Sequence, residues 1–310
     1  MPVDATNMEI SLKQAYAIET DSLTKYYGDF EAVRGLTMRV PKGTITGFLG
    51  QNGAGKSSTI RMLLGMSRPT RGNGRVLDLD IADERQSIEM RKRVAYVAED
   101  KRLYDYMTVR QMIDFTKAFF PGWRTEIEQK LLDDFRLPLD RSTKKLSKGM
   151  RTQLALLLAF ARGAELLILD EPTEGLDPVM AEKTLELVVG AAAEGATIFF
   201  SSHQIAEVEQ IADRILLIDR GQLLLDTTLD SISTDFRRIR GVYDTAPKPA
   251  ALALDGVKRI AVDGRTVSVM VSHNSVTIAE RMRAESASAV EVLPMTLKEI
   301  VLESLKRDQP

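Results

Sequence analysis

The segment Gly50-Gln51-Asn52-Gly53-Ala54-Gly55-Lys56-Ser57 limits the possible folds more than any other part of the chain. It follows an apolar run at residues 44–49 that reads as a buried strand, and it opens a stretch of helical character at 56–66. Strand, glycine-rich loop and helix in that order form a phosphate cradle. Glycine lets successive backbone N–H groups point inward, and the helix N-terminus adds free N–H groups at the positive end of its dipole. In this P-loop pattern Lys56 reaches the β- and γ-phosphates and Ser57 offers its hydroxyl to Mg2+.

The surrounding pattern is that of an α/β protein. Residues 166–169, 197–200 and 215–218 are near-continuous apolar strands alternating with helices around 180–193 and 205–211, and 94–97 is a further short strand. Such strands belong to a mostly parallel sheet covered on both faces. Upstream, 23–27 and 36–40 are strand-like around the turn Gly28-Asp29. Between 104 and 137 the character is helical, with segments 109–120 and 125–135 broken by Phe120-Pro121-Gly122. Residues 147–162 form a helix that is apolar on nearly every side from 154 to 161, and therefore buried. After Asp226 the composition shifts: 244–250 is turn-rich, 257–262 and 266–271 form a hairpin across Asp263-Gly264, 276–283 is a short helix and 296–306 a closing one. The expected divisions are a weakly patterned arm at 1–17, a large α/β domain at 18–226 and a small α+β domain at 227–310.

Several function classes drop out on composition. With 42 Lys and Arg against 44 Asp and Glu the net charge is −2, so nothing global points to nucleic acid or an acidic membrane surface. There is no cysteine, which excludes disulfides and thiolate chemistry, and only two histidines, which makes a histidine metal cluster implausible. No secretory pattern is evident at the N-terminus. The longest uninterrupted apolar candidate, 154–161, falls far short of the roughly 18 residues that span a bilayer. A soluble chain is expected, with any membrane association made through a partner.

Three further features carry chemistry. The strand at 166–169 ends on Asp170-Glu171, which places two carboxylates where open α/β sheets bind ligands. Acids after a strand are often only a helix cap. Downstream of a P-loop, Asp170 instead suits Mg2+ and its water shell, and Glu171 suits orienting and deprotonating an attacking water. His203, after the strand at 197–202, suits a hydrogen bond to the γ-phosphate or that water. Ser147 opens a second helix N-terminus, either a simple N-cap or a second anion site open to another subunit's nucleotide.

At this point the chain resembles the ATP-binding subunit of an ABC transporter over residues 18–225. The loop 50–57 looks like that family's Walker A, Leu146-Ser147-Lys148-Gly149-Met150 its signature motif, 166–171 its Walker B, Glu174-Gly175-Leu176-Asp177 its D-loop and His203 its switch histidine. The resemblance implies a P-loop NTPase with a RecA-like core, an antiparallel β subdomain and a helical subdomain at about 102–145 that docks on a membrane permease. It implies Mg-dependent ATP hydrolysis with Glu171, His203 and Lys56 as catalytic residues, and nucleotide contacts from Gly50, Gln51, Asn52, Gly53, Ala54, Gly55, Lys56, Ser57 and Ser58. It also implies head-to-tail pairing with a second copy or a homologous ATPase subunit, in which Ser147, Lys148 and Gly149 close over the other subunit's ATP and Asp177 joins the two sites. Tyr27 matches the aromatic that stacks on adenine, although it could be a strand-edge core residue and Tyr26 contests the role.

Two positions depart from the family pattern. Glu99 stands where glutamine is usual, adding negative charge beside Ser57 and Asp170 in the expected metal set. Lys148 stands where glycine is usual, and either faces a partner's triphosphate or points to solvent. Tyr104-Asp105-Tyr106-Met107-Thr108-Val109, Phe119-Phe120-Pro121-Gly122-Trp123 and the small C-terminal domain resemble the bacterial exporter type, whose ATPase is a separate polypeptide on the cytoplasmic side of the membrane. Trp123 reads as a packed aromatic or a permease contact. A soluble ABC ATPase of translation or DNA maintenance is the alternative enzyme, and a non-hydrolysing regulatory module the alternative to an enzyme.

Overall fold

A computed structural model describes residues 16–245 and 249–306. The arm expected at 1–17 lies outside the described residues except for Tyr16 and Ala17, which open the first strand. The chain divides into two compact units, one up to Leu223 and one from Leu224 onward.

The first unit begins with two long antiparallel strands, β1 (Tyr16–Tyr27) and β2 (Phe30–Pro41), joined at Tyr27↔Phe30. Both are longer than the 23–27 and 36–40 expected. The alternation in β1 is interrupted where Ser22 takes φ 49° and the register shifts between Thr20 and Leu23, so the buried Ile18 and Thr20 fall out of step with Leu23. β4 (Arg71–Val76) pairs with the other edge of β1, followed by the short β5 (Leu79–Asp80). Only Gly74 and Val76 of β4 are buried.

The central sheet has the order β10-β9-β3-β8-β7-β6, formed by β3 (Ile45–Leu49), β6 (Val94–Val97), β7 (Leu166–Asp170), β8 (Thr197–Ser202), β9 (Arg214–Asp219) and β10 (Gln222–Thr228). The pairs β3·β8, β3·β9, β6·β7 and β7·β8 are all parallel. β3, β7 and β8 are buried along their whole length, as uninterrupted apolar runs require when both faces are covered. The core joins this sheet to the antiparallel one, with Phe48, Ile168, Phe199 and Leu216 in the same cluster as Leu23, Leu36 and Val76.

The helix expected at 56–66 ends at Leu63, because Gly65 leaves the helix at φ 63°. The helical subdomain holds helices Val109–Lys117 and Thr125–Phe135. Thr108 and Gln111 form a capping box on the first of these. Helix Lys148–Phe160 is buried along Leu154 and 156–160, with Ser147 as its N-cap rather than its first residue. No helix among the described residues is long and apolar enough to cross a membrane.

The second unit contains a four-stranded antiparallel sheet of order β12-β13-β11-β14, from β11 (Arg237–Val242), β12 (Val257–Asp263), β13 (Thr266–Val271) and β14 (Ala289–Pro294). Ile239, Val267, Val269 and Val271 cluster with Ile278, Ala279 and Met282 of helix Ser275–Ala284. On β11, Arg238 pairs at 2.9 Å with Glu299 of the closing helix Leu297–Leu305. The α+β class expected for this region holds.

Candidate active site

The strand order places four chemically distinct segments side by side. The neighbours β3, β8, β7 and β6 run parallel, so their carboxyl ends deliver the loop 50–57, Ser201–Ser202–His203, Asp170–Glu171 and the segment 98–103 to one edge of the sheet. This is the edge at which open α/β sheets bind ligands.

The loop opens helix Lys56–Leu63 through Gly55, at φ 108°. A Cβ on Gly55 would lie 2.6 Å from the Ala32 carbonyl oxygen, so the position excludes a side chain on both backbone and steric grounds. No side chain caps this helix and no acid occupies its first turn, which leaves its first N–H groups and positive dipole end for an anion. Gln51, Asn52 and Gly53 are exposed, Ser57 and Ser58 half-buried, and Lys56 buried. The Lys56 ammonium donates to the Gly50 carbonyl at 2.6 Å and lies 3.3 Å from Glu171 Oε1.

Asp170 and Glu171 are 1% and 4% exposed, so their charges are governed by their partners. Ser201 Oγ donates to Asp170 at 2.5 Å. Burial raises the Asp170 pKa and neighbouring Glu171 adds to the rise, whereas hydrogen bonds from Ser201 and Ser57 and the charge of Lys56 oppose it. Glu171 sits at φ 49°, in the left-handed region that a side chain seldom adopts. Its N–H donates to Ser201 Oγ at 3.1 Å, and its Oε2 lies 2.9 Å from His203 Nδ1. Glu171 Oε1 is buried and accepts no hydrogen bond despite the nearby Lys56 ammonium. Glu171 thus links Lys56, 3.3 Å from its Oε1, to His203, 2.9 Å from its Oε2.

The donor set fits Mg2+. The Ser57 hydroxyl and the Asp170 carboxylate line the same groove, and both are hard oxygen donors. Mg2+ prefers this sparse arrangement, taking one or two protein oxygens with water and phosphate completing the shell. Glu99 is exposed and lines a groove of about 810 Å3 with Ser57, Asp170, Tyr96 and Lys101. Tyr96 is pushed up to about 12, first by burial and then by the charges of Asp170 and Glu99.

The signature-like segment lies apart from this centre. Ser147 accepts from the Met150 N–H at 3.2 Å, and no hydrogen bond joins Ser147, Lys148 or Gly149 to the loop 50–57 among the described residues. The Lys148 side chain is exposed, and its ammonium donates to Glu174 Oε1 at 2.6 Å. That bond raises the lysine pKa and lowers that of the glutamate. Asp177 caps helix Pro178–Ala193, accepting from Val179 and Met180. Tyr27 is 45% exposed at the end of β1 with the Lys25 ammonium 5.2 Å from its ring centre, whereas Tyr26 is engaged by Glu31. Trp123 packs in the helical subdomain, its indole N–H donating to Glu128 at 2.7 Å.

Three residues beyond those singled out in the sequence enter the site. Ser201 bridges Asp170 and the Glu171 backbone, and its signal is a polar residue closing an apolar strand. Glu207 accepts from Thr173, Ser202 and Gln204, holding the residues on both sides of His203. Lys101 donates to the Glu171 carbonyl. No sequence pattern marks the last two, because their partners are brought up by strand order.

A family profile described as ABC transporter matches residues 33–174. An uncharacterized ABC transporter ATP-binding protein of Synechocystis sp. is 33% identical over 233 residues, covering 71% of this chain and 65% of that protein, slightly under two-thirds of its length. The bacitracin transport ATP-binding protein BcrA of Bacillus licheniformis is 35% identical over 226 residues, covering 71% of this chain and 72% of that protein. A solved structure of the ATP-binding subunit of an ABC transporter shares 30% identity at a TM-score of 0.65, covering 70% of this chain and 92% of the other.

Proposed function

Because the chain belongs to the ATP-binding subunits of ABC transporters, we propose that it binds and hydrolyses ATP with Mg2+ and couples this cycle to a separate membrane permease. The observation that carries the reading is the Lys56–Glu171–His203 chain at adjoining strand ends, with the uncapped helix N-terminus beside it. The loop 50–57 and the first N–H groups of helix Lys56–Leu63 hold the phosphates, and Lys56 moves from Glu171 and Gly50 toward the β- and γ-phosphates. Ser57, Asp170 and Glu99, which line one groove, would hold Mg2+, which when bound would neutralise phosphate charge. Glu171, released from Lys56, accepts a proton from the attacking water through its otherwise unbonded Oε1, while His203 holds the other oxygen. Tyr27 offers an exposed ring to adenine.

The site is incomplete within one chain. Ser147 and Gly149 of a second copy, at an exposed helix N-terminus, close over the nucleotide, and Asp177 lies on the same pairing surface. ATP binding closes this dimer and hydrolysis reopens it. The likeness to a bacitracin transport protein supports a drug, antibiotic or peptide as the cargo, and the same reading has the chain act in export from the cytoplasmic side of the membrane. The exposed aromatic ladder Tyr104, Phe115 and Phe119, with ring centres 5.5 and 5.1 Å apart, suits contact with the permease.

The deciding experiment is Glu171→Gln in the purified chain. ATP binding is expected to persist while turnover falls about 10²- to 10⁴-fold, the range of a lost general base. Full turnover in this variant rules out the catalytic assignment. Copurification of a membrane permease tests the coupling, and recovery with ribosomes instead would place the ATPase outside transport.

A further inference from the structure

We propose that Lys101 is a positioning residue that ties the groove-lining segment 98–103 to the backbone of Glu171, so that the placement of that segment sets the aim of the base. The inference rests on the reading that Glu171 activates water.

Lys101 is 8% exposed, although both neighbours, Asp100 and Arg102, are exposed and paired with each other at 2.6 Å. Lysine ordinarily extends its ammonium to water, and burying it is costly without a partner. Here the ammonium turns inward and donates to the Glu171 carbonyl at 3.2 Å, across a separation of 70 residues.

The carbonyl it holds belongs to the one residue whose orientation matters most. Glu171 sits at φ 49°, a conformation that persists only where neighbours over-determine it. On its amino side, the N–H is fixed by Ser201 Oγ at 3.1 Å and the Ser201 carbonyl at 3.3 Å. On its carboxyl side, the carbonyl accepts from the Glu174 N–H at 3.2 Å within the local turn, and from Lys101. Lys101 is therefore the long-range hold on the second peptide plane, and the two planes together set the direction in which the side chain leaves Cα.

The other end of this strut lies in the groove that also holds Ser57 and Asp170. Lys101, Glu99 and Arg102 line the groove together with Met112, Thr116 and Ala155 from the helices beyond. The chain then continues to Tyr104, whose ring meets Tyr106 and Phe115.

The test is Lys101→Met in the full chain, which keeps the aliphatic stem and removes the donor. Turnover is expected to fall about 10-fold while KM for ATP and affinity for a non-hydrolysable ATP analogue stay within about two-fold, since a positioning loss acts after binding. In a Glu171→Gln background, followed by single-turnover hydrolysis of radiolabelled ATP, Lys101→Met is expected to add less than about a two-fold further loss, because residues acting through one another are not additive. Unchanged turnover in Lys101→Met overturns the proposal, as does an equal loss in both backgrounds or a parallel loss of nucleotide affinity. Should Lys101→Met not fold, Lys101→Gln is read by the same two measurements. Full turnover in Glu171→Gln alone is a separate outcome that strikes the role of Glu171 itself.

Discussion

Glu207 is the residue whose removal the structure allows to be worked through in most detail. Its carboxylate, 9% exposed, accepts from Thr173 Oγ1 at 2.6 Å, Ser202 Oγ at 2.7 Å and Gln204 Nε2 at 2.9 Å. Two of these donors, Thr173 and Ser202, are themselves buried, at 4% and 0% exposure, so Glu207→Ala strands hydroxyls that water cannot reach. A hydrogen bond to a charged acceptor contributes about 1.5–3 kcal/mol, and the three share one acceptor, so the expected cost is about 3–5 kcal/mol rather than the full sum. At about 2–4 °C per kcal/mol for a unit of this size, the thermal midpoint of the first unit drops by roughly 6–20 °C. Glu207→Gln keeps the volume and one acceptor oxygen. Its amide oxygen can serve Thr173 and Gln204, but its NH2 group then faces Ser202 and leaves that hydroxyl without an acceptor, a cost of about 1–2 kcal/mol. Urea unfolding followed by tryptophan fluorescence from Trp123 and by circular dichroism gives both numbers. His203 lies between Ser202 and Gln204, so turnover falls in the same order, Ala more than Gln. A loss below about 0.5 kcal/mol for Glu207→Ala, the range of ordinary surface changes, refutes the argument, as does equal damage from both variants.

Gly55→Ala combines φ 108° with a contact at 2.6 Å to a backbone oxygen, so a loss of about 2–4 kcal/mol and of ATP-analogue binding is expected; wild-type melting refutes it. The Lys148–Glu174 bond has opposite limits on the two sides of the pH scale. Glu174 is lowered from 4.5, so its contribution is complete above that value and is lost as pH falls through the folded pKa; Lys148 is raised from 10.5, so its contribution is complete below that value and is lost as pH rises through the folded pKa. Lys148→Gln should move the Glu174 carboxyl titration back up, read by carbon NMR, and an unmoved titration contradicts the pairing. Glu99→Gln removes one charge from the groove that holds Ser57 and Asp170. Two unit charges about 4 Å apart in water interact by ~1 kcal/mol and a divalent ion doubles this, so the Mg2+ concentration for half-maximal turnover should rise about 30-fold, and an unchanged metal dependence discards Glu99 as a metal-facing residue.

How far the molecule could be read beforehand depended on whether the signal was local. Apolar strands such as 166–170 and 197–202, and the glycine-rich loop between strand and helix, carry their meaning in consecutive residues. β4 is the opposite case. Its sequence Arg-Gly-Asn-Gly-Arg-Val reads as a loop, yet Gly72 is required in the strand because it takes φ 73° and a Cβ there would collide with the Ser22 carbonyl. Helix Glu84–Arg93 buries only Ser87 and Met90, too narrow a stripe to register as helical periodicity.

The same division runs through the site. The sequence by itself determined the phosphate loop, the acids that end β7 and the histidine that ends β8, since each is a residue type at a strand end and strand ends are legible from hydrophobicity. Only the tertiary structure decided that these ends are neighbours, because the order β3-β8-β7-β6 follows from crossover connections and not from any local pattern. It alone placed Lys56 between Gly50 and Glu171, turned Lys148 onto Glu174, and brought Lys101 under the Glu171 carbonyl. Those contacts span 6 positions, from Lys56 to Gly50, up to 115, from Lys56 to Glu171, and a buried charge takes whichever partner the packing brings within reach.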